Sequence, residues 1–229
     1  MVIGNGMLAS CFKKHLGDFN PNVLIFASGV SNSLETKDSE FNREINLLTQ
    51  YFQTSYYILY FSTCSIYDVG LIKTPYVQHK LMVERLLGNR GNALIIRLPQ
   101  IVGGGGNKNT LLNFLMNQIC SGNIFNVWTN AKRSLIDVED VIFFTKKLVD
   151  HHIPNLSIIN LAAPGNISII DLVNLIEKHT GLSARYNLID IGSDYLIDVT
   201  LLENLFDDYS KIFHQGYFES LVVKYCKNK

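Results

Sequence analysis

Val2-Ile3-Gly4-Asn5-Gly6-Met7-Leu8-Ala9-Ser10 is the stretch from which the fold is read. Two apolar residues end a short strand, Gly4-x-Gly6-x-x-Ala9 turns the chain, and an amphipathic stretch follows to about His15. Small residues at those three positions allow a tight turn, a close approach of backbone to phosphate, and close packing of the helix, whose N-terminus favours negative charge. Alone the pattern is weak, because glycines also mark ordinary turns. Its place at the first strand-to-helix turn strengthens it, since a doubly wound α/β fold holds a pyrophosphate there.

Outward from that turn, strands and helices alternate. Residues 23–26 are an apolar run suited to a buried strand, ending in the small residues Ala27-Ser28-Gly29. Residues 39–52 have helical spacing, and 57–61 form a second buried strand that ends at Ser62-Thr63. Pro75 is placed to open a helix to about Leu87, where its missing N–H costs nothing. A strand at 93–98 is followed by a loop holding Gly103 to Gly106. Helices are expected at 110–120, 138–150 and 168–180, the last capped by Gly181, and strands at 125–128 and 158–161. Alternation of this kind predicts parallel βαβ units. A soft division is expected between a sheet-forming part, residues 1–100, and a mixed part, residues 101–229, that completes the sheet and builds a smaller lobe.

Composition narrows the function. The 229 residues are 47% apolar and 17% charged, with 20 basic and 20 acidic side chains. A balanced charge gives no field to steer the chain to nucleic acid or an anionic membrane, so phosphate binding has to be local. Cys11, Cys64, Cys120 and Cys226 show no C-x-x-C or metal-ligand spacing, and read as reduced thiols of a cytoplasmic protein. His151-His152 ends a helix and reads as solvated; no metal is expected. The N-terminus lacks a signal peptide's basic region and apolar core, and no apolar run approaches about 18 residues.

Proton chemistry is suggested further along. Thr63-Cys64-Ser65-Ile66-Tyr67 follows a strand, and Tyr76-Val77-Gln78-His79-Lys80 opens a helix. On a helix, Tyr76 and Lys80 share one face. An ammonium beside a phenol favours its ionised form, which fits Tyr76 as a general acid or base, and the Thr63 hydroxyl supplies a second hydrogen bond to a carbonyl oxygen. Tyr-x-x-x-Lys also occurs on helices for packing; the surrounding pattern gives it weight. One expected part is missing. A dinucleotide fold carries an Asp or Glu about 20 residues beyond the glycines to hold the adenosine ribose, and here the next strand ends in Ala27-Ser28-Gly29. Either the cofactor binds in a reduced pocket or it has been lost.

These segments, in order, resemble the extended short-chain dehydrogenase/reductase superfamily, in its branch of NAD-dependent sugar-nucleotide epimerases, dehydratases and 4-ketoreductases. Further segments are similar: Arg97-Leu98-Pro99-Gln100-Ile101-Val102-Gly103 to the family's nicotinamide-lining stretch, and Arg133-Ser134-Leu135-Ile136-Asp137-Val138-Glu139-Asp140-Val141 to its R-x-x-x-x-V-x-D-V stretch. The resemblance implies a Rossmann-like, doubly wound parallel sheet with its second and third strands missing, so that the first strand lies near an edge, and a small C-terminal substrate lobe. It implies Thr63, Tyr76 and Lys80 as catalytic residues and NAD or NADP as cofactor. It also implies Gly4, Gly6, Met7, Leu8, Ala27, Ser28, Gly29, Tyr76, Lys80 and Pro99 as cofactor-binding residues, and Thr63, Gln100 and Arg133 as substrate-binding residues.

The branch's dehydratases carry Asp-Glu directly after the Thr, and Cys64-Ser65 stands there in this chain. Dehydration is therefore disfavoured. The resemblance leaves 4-keto reduction of a nucleotide-linked deoxysugar, as in bacterial surface-polysaccharide synthesis, 4-epimerisation, or a non-catalytic sugar-nucleotide-binding remnant. For Arg133 the clamp on diphosphate stands against a surface Arg paired with Asp137 or Glu139. A homodimer is possible, as among relatives, and no membrane or nucleic-acid partner is expected.

Overall fold

The computed structural model describes residues 1–104, 110–151 and 157–226. In chain order its elements are β1 Val2–Ile3, α1 Met7–Lys14, β2 Val23–Phe26, α2 Asp38–Thr49, β3 Tyr57–Thr63, α3 Pro75–Arg90, β4 Ala93–Leu98, β5 Gln100–Val102, α4 Leu111–Cys120, β6 Ile124–Trp128, β7 Lys132–Arg133, β8 Leu135–Asp137, α5 Val138–His151, β9 Ile158–Asn160, β10 Ile167–Ser168, α6 Ile169–Thr180, β11 Arg185–Ile189, α7 Thr200–Leu205, α8 Tyr209–Ile212 and α9 Tyr217–Cys226. They fall into two compact units, residues 1–98 with 138–161, and residues 99–137 with 162–229.

The first unit is built on a parallel sheet of order β1-β2-β3-β4-β9. Its central strands are apolar on both faces because both are covered. Leu24, Phe26, Ile58, Tyr60 and Ile95 point to one face and pack with Leu48 of α2 and Val83 and Leu87 of α3. The alternate residues point the other way, where Phe12 of α1 stacks on Phe61 with ring centroids 5.3 Å apart and α1 touches α5.

β1 lies at the edge of the sheet, as the missing strands imply. A second consequence is topological. The connections through α1, α2 and α3 each step one strand in the same direction, yet α1 covers the face opposite to α2 and α3. The β1–α1–β2 crossover therefore has the opposite hand to the two that follow. About 98% of such crossovers share one hand, and the exception fits the expectation that two strands of the usual sheet are missing between α1 and β2.

The second unit contains three two-stranded pairings, β5 with β8 (parallel), β6 with β11 (parallel) and β7 with β10 (antiparallel). Ser168 caps α6 by accepting the Asp171 N–H at 3.0 Å, and Gly181 closes it at φ +71°. Helices α6 and α9 pack together, with Lys178 and His179 both bound to Glu219. All four cysteines are free. Among the described residues no helix is long and apolar enough to cross a membrane.

Candidate active site

Every strand of the first unit's sheet runs the same way, so the segments after β1, β2, β3 and β4 leave from one edge. That carboxyl edge is where open α/β sheets bind ligands. It carries the turn from Gly4 to Ala9, the loop Ala27-Ser28-Gly29, and Thr63. Helix α3 starts beside it: Thr74 caps the helix, with its hydroxyl facing the Val77 N–H at 3.4 Å, and Pro75 is the first residue. Tyr76 is 7% exposed among Val30, Phe41 and Val77. One turn on, Lys80 Nζ lies 6.0 Å from the Tyr76 ring centroid.

Lys80 is 2% exposed and its ammonium is bound by residues that the motifs do not contain. It donates to the Tyr60 hydroxyl at 3.0 Å and to Glu44 Oε1 at 3.2 Å, with Oε2 at 3.5 Å. Glu44, fully buried, also accepts from the Tyr60 hydroxyl at 2.6 Å and the Val30 N–H at 2.5 Å, and bonds His79 Nε2 at 2.9 Å. A carboxylate offers about four lone-pair sites, and four groups occupy these. Burial works to raise the Glu44 pKa, but the Lys80 charge and the bonds from His79, Tyr60 and Val30 reverse this and bring it from 4.5 to about 2. Burial pulls the Lys80 ammonium below its ordinary value, with Glu44 opposing. Burial and the Glu44 charge together push the Tyr60 phenol well up.

A consequence for acid stability follows. A carboxyl depressed in the folded state contributes stability above its unfolded pKa and loses it as pH falls through the folded one. Between pH 4.5 and about 2, protonation of Glu44 is expected to remove about 3 kcal/mol. Denaturant melts over that range measure it, and Glu44→Gln should flatten that part of the profile.

The glycine turn is tightly made. Gly4 has φ +126°, and a Cβ there would stand 2.3 Å from the Ala27 carbonyl oxygen, so the turn presses on the end of β2. Gly6 caps α1, whose first turn holds Met7 and Leu8, and nothing lies within 4 Å of where its Cβ would be. Gly4→Ala is expected to cost at least about 1–3 kcal/mol, read by equilibrium denaturation, because the strain and the backbone overlap cannot both relax. Gly29 faces the ammonium: its Cβ would stand 2.6 Å from Lys80 Nζ.

Thr63 ends β3 and uses one oxygen lone pair to accept the Ser65 N–H at 3.1 Å, leaving its hydroxyl hydrogen to donate. Cys64 is fully buried at the start of a short 3₁₀ turn, and burial pushes its thiol far up. A second network, partly buried, starts at Ser62, the neighbour of Thr63. Glu84 accepts from Ser62 at 2.6 Å and from Arg97 Nε at 3.0 Å, and Tyr67 bonds Arg97 and Asn160.

Pro99, Gln100 and Arg133 belong to the second unit. The Gln100 N–H donates to the Ser134 carbonyl at 3.2 Å, and Arg133 donates to the carbonyls of Lys132 and Ser193 at 2.7 and 2.9 Å with Tyr195 beneath its guanidinium. Of the loop from Gly103 to Gly106, Gly105 and Gly106 lie outside the described residues, as does His152. Motif reading gave no part to Glu44 and Tyr60, which bond Lys80, or to His79, which bonds Glu44.

No protein-family model matches the sequence, and no curated protein matches it. Solved structures do match. The structure of RMD from Pseudomonas aeruginosa complexed with NADPH superposes with a TM-score of 0.78 at 15% identity, covering 99% of this chain and 96% of that one. The fold is theirs in common. The UDP-N-acetylglucosamine 4-epimerase from Methanobrevibacter ruminantium, in complex with UDP-N-acetylmuramic acid, gives 0.72 at 14% identity over 97% and 79% of the two chains. The UDP-glucuronic acid 4-epimerase from Bacillus cereus, in complex with UDP-glucuronic acid and NAD, gives 0.70 at 18% over 97% and 79%. The chain thus shares the α/β architecture of these proteins, and its own parallel sheet has five strands.

Proposed function

We propose that the chain is an NAD(P)-dependent oxidoreductase of the extended short-chain dehydrogenase/reductase type, reducing the 4-keto group of a nucleotide-linked deoxysugar. The observation that carries the reading is the juxtaposition of Tyr76 and Lys80 on the first turns of α3, beside the carboxyl edge that ends in Thr63. The fold shared with an NADPH-bound protein and with an NAD-bound sugar-nucleotide epimerase supports it.

The residues present fit a dinucleotide. Gly6 leaves the α1 N-terminus open to a pyrophosphate and Gly4 lets the turn press against the end of β2, with Met7, Leu8 and the loop Ala27-Ser28-Gly29 in the proposed set. The 3.5 Å contact of Lys80 with Glu44 Oε2 is at the limit of a hydrogen bond, so that hydrogen can pass to a ribose hydroxyl without breaking the ion pair. A bound reduced nicotinamide supplies the hydride. Tyr76 gives its hydroxyl proton to the carbonyl oxygen as the C=O π bond breaks, and the resulting phenolate is reprotonated from solvent. Thr63 donates to the same oxygen and holds it in place. Gln100 and Arg133, with Pro99 at the start of the second unit, complete the proposed binding set, Arg133 for the diphosphate.

Incubation with NADH or NADPH and a nucleotide-linked 4-keto-6-deoxysugar is expected to consume the reduced cofactor in equimolar amount with the ketone. No consumption with either cofactor removes this reading. The epimerase likeness favours a second one, in which the same three residues act on C4 in both directions. It is recognised by conversion of a UDP-sugar to its 4-epimer with no net change in cofactor.

A further inference from the structure

The motifs supply an acid, a cation and a hydroxyl, but no counter-charge for the cation. Glu44 provides one. We propose that Glu44 is the positioning residue of the Lys80 ammonium: from the middle of α2 it keeps the buried Nζ charged and fixes it against the Gly29 backbone beside Tyr76. The catalytic half of this inference rests on the function proposed above; the electrostatic half rests on geometry alone.

Three features distinguish the pair from an incidental salt bridge. Both side chains are buried, Lys80 at 3% and Glu44 at 0% exposure. The carboxylate is itself held, by Val30 from the β2–α2 loop, Tyr60 from β3 and His79 from α3, so its position is set independently of Lys80. Gly29 also leaves room for the ammonium, since a Cβ there would stand 2.6 Å from Nζ and 3.1 Å from Glu44 Oε1.

Burial favours the neutral amine, and a neutral Lys80 would no longer favour the ionised phenol of Tyr76. The charged and titratable groups facing Lys80 are Glu44 and Arg43 from α2, Tyr60 from β3, and Tyr76, His79 and Glu84 on its own helix. Arg43 works against the ammonium and Glu84 with it, but Glu44 is its leading support. His79 Nδ1 has no partner, and its ring stacks on Phe41 with Nε2 turned to Glu44. Glu44 is therefore the group expected to set the pH at which Lys80 loses its proton.

The test is an NMR titration of the Lys80 side chain in cofactor-free protein, wild type against Glu44→Gln. The Lys80 midpoint is expected to fall by about one pH unit or more in the variant, and an unchanged midpoint overturns the proposal. In the loaded enzyme, the alkaline limb of kcat should move down by the same amount while KM for the nucleotide sugar stays in place. Loss of rate at all pH values with the limb unmoved also overturns it, since a purely structural role would do that. Should Glu44→Gln not fold, Lys80→Met gives the reciprocal reading: the Glu44 carboxyl midpoint should rise by about one unit or more, and no rise overturns the pairing. A wild type that consumes neither cofactor, with these midpoints still moving, sinks the proposed function and leaves the ion-pair assignment supported.

Discussion

Tyr76→Phe is expected to lower reduction of a nucleotide-linked 4-ketosugar by about 10²–10⁴-fold, the range for losing a positioned general acid. The fall should be in kcat, because the lost hydroxyl acts on the oxygen where charge develops and the rest of the substrate contacts stay. The ring itself packs with Val30, Phe41 and Val77, and Phe keeps that packing. Melting temperature and NAD(P)H affinity should therefore change little, which separates loss of chemistry from loss of fold. Steady-state kinetics with a thermal melt of the same preparation decide it. Undiminished turnover would remove Tyr76 from the proton-transfer role and move attention to Thr63, the other hydroxyl of the proposed set at that sheet edge.

Much of the first unit was legible because its signals are local. Residues 23–26 had no polar position to hide, and Pro75 after Thr74 marked a helix start that the structure keeps. The resemblance, with the second and third strands of its sheet missing here, gave the edge position that β1 takes. The reversed hand of the first crossover was not legible, since it depends on which face α1 covers, and that is decided by Phe12 meeting Phe61 across the chain. Other elements were too short to show a period. β5, β7, β8 and β10 span two or three residues each, and α7 and α8 six and four; they exist through pairing and packing, such as Tyr209 donating to the Ala162 carbonyl at 2.9 Å. Beyond Gly181 no element was read at all.

Glu44 had a signal that motif matching passes over. Phe41, Glu44 and Leu48 are the buried residues of α2, and their spacing of three and four is that of a core-facing stripe. A carboxylate on such a stripe needs partners. They came from three other elements, Val30, Tyr60, and the His79-Lys80 pair, which no local reading of α2 could supply.

Lys80→Met is expected to be among the most destabilising single changes in the first unit, by about 3–5 kcal/mol, because it leaves the Glu44 charge buried without its cation. For a chain of this size that corresponds to a fall in melting temperature of about 6–20 °C. Exchange of both residues for apolar ones often restores such a loss, but here Glu44→Leu with Lys80→Met should not. Glu44 is also the acceptor for Val30 N–H and the Tyr60 hydroxyl and the partner of His79 Nε2, and each buried donor left unmet costs about 1–3 kcal/mol. Glu44→Gln with Lys80→Met keeps one acceptor oxygen and removes the charge, so this double variant should melt above the Lys80→Met single and above the Leu/Met double. If instead the Leu/Met double melts highest, the cluster is held by apolar packing and the carboxylate is not its organising centre.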